Sequence, residues 1–311
     1  MSASPHELSA KLGDAPQGAA AAQRRDVGRA FALAVLAVGV LSAMDAAIKG
    51  MAVEFSTPQI ALMRYVAGSL AILAVIAVVR PPRPKLETVI ANSWRAVLGA
   101  VTALTFFFAL GRLPLAETLA LSLLSPCCTV AFGALLLRES VGRAVIVALV
   151  VGLAGMLLIV APKFGGGEAS LAALEGALAV MISTLTYSLS LVLLRSRATR
   201  DHPMTIVAVQ NIGAAVILAA LVPLAPAELW QPLAPYDLMR FAALGALGIA
   251  GHLMIVRAYA LAPAARMAPA DYTALIYASV FGYFFFAETP AFTTVLGALL
   301  IMASSFAATR R

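Results

Sequence analysis

The chain alternates between long apolar stretches and short breaks that carry charge, glycine or proline. Ten such stretches fall at 30–49, 57–79, 94–111, 114–137, 143–161, 171–194, 203–224, 239–261, 266–287 and 290–308. Crossing the hydrocarbon layer takes about 20 mainly apolar residues as helix, so ten spans would use roughly 200 residues and leave only short loops. The pattern predicts an all-α membrane protein of ten transmembrane helices. Residues 1–27, rich in Ala, Gly, Gln and Pro, carry no hydrophobic pattern and are expected to form a disordered tail. The first apolar stretch is too long for a signal-peptide core and is expected to stay as the first span.

Composition sharpens this. Of 311 residues, 62% are hydrophobic and 12% charged, against roughly 25% charged in soluble domains. The 22 Lys and Arg with 15 Asp and Glu cannot cover a water-exposed surface. A net charge of +7 on a soluble protein would raise nucleic-acid binding, but the basic residues sort by membrane side instead. With the N-terminus inside, inner segments hold Lys11, Arg24, Arg25 and Arg29; Arg80, Arg83, Lys85 and Arg95; Arg138 and Arg143; Arg195, Arg197 and Arg200; Arg257 and Arg266; and Arg310 and Arg311. Lys49, Arg112, Lys163 and Arg240 fall outside, and Arg64 lies within a span. The bias predicts both termini in the cytoplasm at the cell inner membrane, and nucleic acid drops out. Cys127 and Cys128 are adjacent in an apolar stretch and read as small core residues.

Sliding the sequence by 149 residues lays 98–139 on 247–288 without a gap. Leu98, Gly99, Leu104, Ala109, Pro114, Ala116, Phe132, Gly133 and Glu139 meet Leu247, Gly248, Leu253, Ala258, Pro263, Ala265, Phe281, Gly282 and Glu288. Spans three and four thus match spans eight and nine. Each half has five spans, and an odd number turns the second half upside down, the inverted repeat of secondary transporters. The division is a tail at 1–27, a first repeat at 28–162 and a second at 163–311.

These segments, "GVLSAMDAAIKG", "TPQIALMRYVAG", "LPLAETLALSLLSPCCTVAFGALLLRES" and "ALAPAARMAPADYTALIYASVFGYFFFAETP", resemble the EamA branch of the drug/metabolite transporter superfamily. The resemblance covers 30–308 and implies a permease or exporter of amino acids, nucleotide-type metabolites or small drugs. The position matching Pro126 is Leu275, so a bend in span four need not recur in span nine.

Charge inside a bilayer costs at least about 2.5 kcal/mol and needs a partner or a watery cavity. In span one, Gly39, Ser42, Asp45 and Lys49 share an arc of the helix, and Asp45 and Lys49 can pair at i,i+4. Arg64 lies about 10 Å into span two; it either snorkels outward, pairs with Asp45 or binds a substrate carboxylate. Span six offers Ser183, Thr186 or Tyr187, and Ser190 on one stripe. His252 sits mid-span in helix eight, as a packed residue or a proton relay. Tyr272 and Tyr283 share a face of span nine, and Asp271 is placed to pair with Arg257 or Arg266. Phe106 and Tyr277 are candidates to meet an apolar substrate group, Trp94, Phe106–Phe108 and Phe284–Phe286 read as interfacial anchors, and Pro126 is a candidate hinge.

The candidate cavity residues are therefore Ser42, Asp45, Lys49, Arg64, Phe106, Tyr187, His252, Tyr272 and Tyr277. No metalloprotease, hydrolase or Walker motif and no filter-like loop occurs, so an intramembrane enzyme, a pump or a channel fits less well than an alternating-access carrier. No cofactor or metal is called for. The expected partners are a small-molecule substrate and the lipid bilayer, with the carrier a monomer or weak homodimer. Neutral or zwitterionic metabolites suit this lining, amino acids first, moving as export; an uptake permease or drug exporter of the same fold is the alternative.

Overall fold

The computed structural model describes residues 5–136, 143–162, 168–197, 200–261 and 268–309. Glu139, Lys163, Pro263 and Arg266 lie outside them. The described residues form helices and connecting turns: α1 (Pro5–Met51), α2 (Thr57–Val79), α3 (Leu86–Leu110), α4 (Leu115–Ser122), α5 (Ser125–Leu136), α6 (Arg143–Val160), α7 (Glu168–Arg197), α8 (Pro203–Leu221), α9 (Pro235–Leu261), α10 (Ala268–Asp271), α11 (Thr273–Phe286) and α12 (Phe292–Thr309). Where the sequence predicts disorder before residue 28, the backbone is helical from Pro5. Extending an existing helix avoids the cost of nucleation, and the alanine run 19–22 favours it.

Seven helical segments are long and apolar enough to cross a membrane: Gly28–Met51, Thr57–Val79, Leu86–Leu110, Leu115–Leu136, Leu171–Arg197, Pro203–Leu224 and Pro235–Leu261. The other three predicted stretches correspond to shorter apolar helices, Ile146–Val160, Thr273–Phe286 and Phe292–Ser304. Large apolar side chains such as Leu70, Val150, Leu157, Leu178 and Ile276 are exposed on the outside of the bundle, a surface suited to lipid. Trp94, Phe284 and Phe285 keep the exposure expected of anchors, whereas Phe107 is buried because α3 turns that face toward the core.

The helix contacts repeat between halves. α1 packs on α9 as α3 packs on α7; α2 packs on α9 as α3 packs on α8; α5 meets α7 as α11 meets α1. The pairs α2 with α8 and α6 with α12 join equivalent elements. α2 and α8 also start alike, each with a capping side chain beside a proline: Ser56 Oγ accepts from Gln59 N–H and the His202 ring accepts from Met204 N–H.

Both breaks in the long helices fall at matching positions. α4 ends at Ser122 and α5 starts at Ser125, whereas Tyr272 separates α10 from α11; Leu123 and Tyr272 are 149 residues apart. The bend in the ninth apolar stretch therefore forms with Leu275 in place of a proline. Side-chain hydroxyls occupy carbonyls next to both breaks, Ser122 Oγ donating to Leu119 O at 2.7 Å and Thr273 Oγ1 to Ala270 O at 2.6 Å, a local competition with helical hydrogen bonding.

Candidate functional site

A cavity of about 220 Å³ opens where the two halves meet. Its wall takes residues from α1, α2, α3, α7, α8 and α9 and from both helix breaks. Irregular backbone at membrane depth is tolerated where it lines protein or water, and Ser122, Leu123, Asp271 and Ala274 line the space. Of the residues singled out from sequence, Ser42, Asp45, Arg64, Phe106, Tyr187, His252 and Pro126 are on this wall. Lys49, Tyr272 and Tyr277 are not.

Lys49 leaves Asp45 for a different partner. Its Nζ lies 3.1 Å from Glu288 Oε1 and donates to the carbonyls of Leu113 at 2.6 Å and Leu110 at 3.3 Å. Tyr277 packs against Gly39 and stacks on Phe281, and Tyr272 packs in the core around α4, α5, α6 and α12.

Arg64 is buried and its guanidinium carbon sits 4.2 Å from the centroid of the Tyr65 ring. Nη1 donates to Asn211 Oδ1 at 3.5 Å, and Nε is buried with no hydrogen-bond partner. A glycine makes room for it: a Cβ on Gly248 would lie 2.6 Å from Nη2. Asn211 is held by donating to Tyr65 O at 2.9 Å and Ser69 Oγ at 3.0 Å. The sequence-level alternatives of snorkelling and an Asp45 ion pair both fail to form. Asp45 feels the charge of Arg64 but makes no ion pair among the described residues.

Arg95 is the residue that sequence reasoning misplaced. Counted there with the loop charges, it is 3% exposed, one-third of the way along α3, and lines the cavity. Its Nε donates to Ser190 O at 3.3 Å, Nη1 to Asn92 Oδ1 at 3.2 Å and Nη2 to Gln210 Oε1 at 2.5 Å. Counting from Trp94 as the start of span three hid it; α3 begins eight residues earlier, at Leu86, beyond a polar segment that a hydropathy window trims. Asp271 is a second revision. It lines the cavity beside Arg195, the charge that acts on it, instead of pairing with Arg257.

His252 Nδ1 lies 2.7 Å from Gly248 O. In the Nδ1–H tautomer it donates to that carbonyl, so this nitrogen is occupied within its own helix. Arg64 and Arg95 line the same cavity as His252, and both act on its ring electrostatically. From α7, Ser183, Thr184, Tyr187 and Ser190 contribute to the wall, while Thr186 turns to Thr102 at 2.7 Å. Among the described residues no group of His, Cys, Asp and Glu could hold a metal ion.

A bundle of long apolar helices enclosing a charged, hydroxyl-rich cavity at the junction of two equivalent halves is the construction of a membrane transporter for small solutes. The sequence matches the EamA-like transporter family over residues 28–161 and 174–310, and the chain belongs to that family. It is 28% identical over 283 residues to the pseudopaline exporter CntI of Pseudomonas aeruginosa, covering 89% of this chain and 95% of that one. It is 26% identical over 228 residues to human solute carrier family 35 member G1, covering 70% and 61%. A crystal structure superposes with a TM-score of 0.62 over 91% of this chain and 98% of the other at 19% identity, a likeness of fold. The protein is a multi-pass membrane transporter of the drug/metabolite type and not an enzyme.

Proposed function

We propose that the chain is an alternating-access carrier that exports small amino-bearing carboxylate metabolites, amino acids first, across the cell inner membrane. The observation that carries this is the cavity built jointly by both halves, with buried charged groups on its wall. At about 220 Å³ it is smaller than the roughly 300–1,000 Å³ of drug-sized sites, which favours a metabolite over a large drug. Export is favoured by the similarity to a pseudopaline exporter.

In this reading the three shorter apolar helices cross the membrane with the seven long ones. The ten crossings form two inverted repeats, 28–162 and 163–311, with both termini cytoplasmic, as the Lys/Arg distribution favours. The helix ends that cover the cavity are then the gates. On the outer side, Lys49 and Glu288 join α1 to the end of α11. On the inner side, Thr88 and Asn92 of α3 donate to Asp201 at 2.8 and 3.3 Å, and Arg197 lies 3.0 Å from Glu87. One chain supplies the whole cavity, so a monomer suffices and any homodimer is weak.

Counterflow in proteoliposomes tests the carrier. Saturable exchange of a radiolabelled amino acid against internal unlabelled substrate is expected; linear, non-saturating flux would overturn the reading in favour of a channel.

A further inference from the structure

The cavity holds more positive charge than its protein contacts use. Arg64 and Arg95 are each 3% exposed, and among the described residues neither has a carboxylate within 4 Å. Every partner that Arg95 has is a neutral oxygen, and Arg64 has one long bond to an amide with its Nε unpaired. Two buried guanidiniums in the membrane interior with no carboxylate in ion-pair contact are costly.

The two are mechanically joined. Tyr65, whose ring underlies Arg64, donates its hydroxyl to Gly99 O at 3.1 Å. Gly99 in turn faces Gln210, which would lie 3.2 Å from a Cβ there, and Gln210 holds Arg95 at 2.5 Å. Asn211, the next residue, holds Arg64. One short segment of α8 thus orients both guanidiniums into the same space through neutral amides, which position a fork without neutralising it. Asp45 lines the cavity from α1, also without a cationic partner within 4 Å.

We propose that the site is built for an amine carrying at least two carboxylates, one taken by Arg64, the other by Arg95, with the ammonium directed to Asp45. This rests on the carrier reading above and narrows its substrate class. A monocarboxylate amino acid fills one fork and leaves the other buried and unpaired. The site discriminates against it for that reason, since a buried donor left without its acceptor is expensive.

Three probes that differ by one group test it on the full-length protein in lipid nanodiscs: L-glutamate, glutarate without the amine, and L-2-aminobutyrate without the second carboxylate. Glutamate is expected to bind about 10- to 100-fold tighter than either. Arg95→Gln and Arg64→Gln should each abolish the advantage over L-2-aminobutyrate, and Asp45→Asn the advantage over glutarate. Arg95→Lys, which keeps charge but not the fork, should recover part of it. Equal binding of the three probes to the wild type overturns the proposal, as does an Arg95→Gln variant that weakens all three alike, the mark of a structural role. Binding decides the two-carboxylate site, and counterflow decides the carrier. Saturable flux of some other metabolite with no discrimination among the three probes would sink the former and leave the latter standing.

Discussion

Glu288 reaches Lys49 at 3.1 Å because the chain leaves α11 through a left-handed residue. Ala287 at φ 53° closes the helix, its N–H bonding to Tyr283 O and that of Glu288 to Gly282 O, the paired cap of helix C-termini. The turn throws the Glu288 carboxylate back so that one oxygen accepts from Leu115 N–H at 2.8 Å at the start of α4 while the other meets Lys49. Lys49 also holds the carbonyls where α3 ends. Four helix ends are gathered over one side of the cavity by a single ion pair.

Glu288→Gln keeps an acceptor for Leu115 N–H but removes the charge opposite Lys49. The pair is partly exposed, with side chains 14% and 22% accessible, so its worth is about 1 kcal/mol at most. That corresponds to an increase of about fivefold in the population open on this side. A Ser42→Cys probe reads it with an impermeant maleimide, because the native Cys127 and Cys128 are buried. Labelling that stays at the wild-type rate from this side would show that the pair is not a gate.

Ala287 is a non-glycine residue in a conformation that disfavours a Cβ by about 1 kcal/mol or more. Ala287→Gly should relieve this and raise the melting temperature in detergent by about 2 °C or more. The Glu288 contacts stay in place, so counterflow should be unchanged. An unchanged or lower melting temperature would mean that the added freedom of glycine in the unfolded chain outweighs the relief.

Arg64 combines a stacked face over Tyr65 with a fork edge toward the cavity. Arg64→Lys keeps the charge and loses both the planar stack and the second donor. Counterflow is expected to show KM raised about tenfold, with normal amounts in the membrane. Wild-type KM in this variant would mean that a point charge suffices.

Much of this frame is written in the hydropathy pattern, for local reasons. Apolar stretches of the right length, Pro58 and Pro203 behind their caps, and the 149-residue shift are properties of neighbours in sequence. The cavity chemistry follows a different logic. Gly248 and Gly99 are equivalent in the repeat, and one makes room for Arg64 while the other faces Gln210 and Tyr65. The position matching His252 is Ala103, and that matching Arg95 is Leu244. The frame is symmetric and the charged side chains set into it are not, so self-similarity points to the backbone and away from the residues that make the site. The Lys49 ion pair is hidden from the sequence for a related reason. The partner of Lys49 is 239 positions away, and an i,i+4 neighbour at Asp45 is the only candidate that spacing offers.

Outside the spans, Glu54 in the turn between α1 and α2 meets Arg240 near the start of α9 at 2.5 Å, and Asp237 meets the same guanidinium at 3.1 Å. The hydrogen bond from Arg240 holds the Glu54 carboxyl below its ordinary 4.5. A carboxyl whose pKa is lowered by folding contributes its stability above the unfolded value and loses it as pH falls through the folded one. The wild type should therefore exceed Glu54→Gln in melting temperature at pH 7. The gap should begin to close as pH drops below about 4.5 and vanish once pH is below the lowered folded value, where both chains carry a neutral group. A gap of the same size at every pH would assign the effect to packing.

Gly245 and Gly248 lie one turn apart on α9 and should respond differently to the same added methyl. A Cβ on Gly245 would come within 2.5 Å of Gly68 N and 2.6 Å of Ala67 C. Backbone cannot rotate away, so α2 and α9 must separate, and overpacking of this kind costs about 1–3 kcal/mol. On Gly248 the obstacle is the end of the Arg64 side chain, which moves without disturbing the helices. Gly245→Ala is expected to lower the melting temperature by several degrees. Gly248→Ala should fold with a melting temperature close to wild type but displace the guanidinium, weakening substrate binding about as much as Arg64→Lys. A Gly248→Ala variant with intact binding would mean that the fork has another productive position, and would separate the role of Arg64 as a charge from its role as a placed pair of donors.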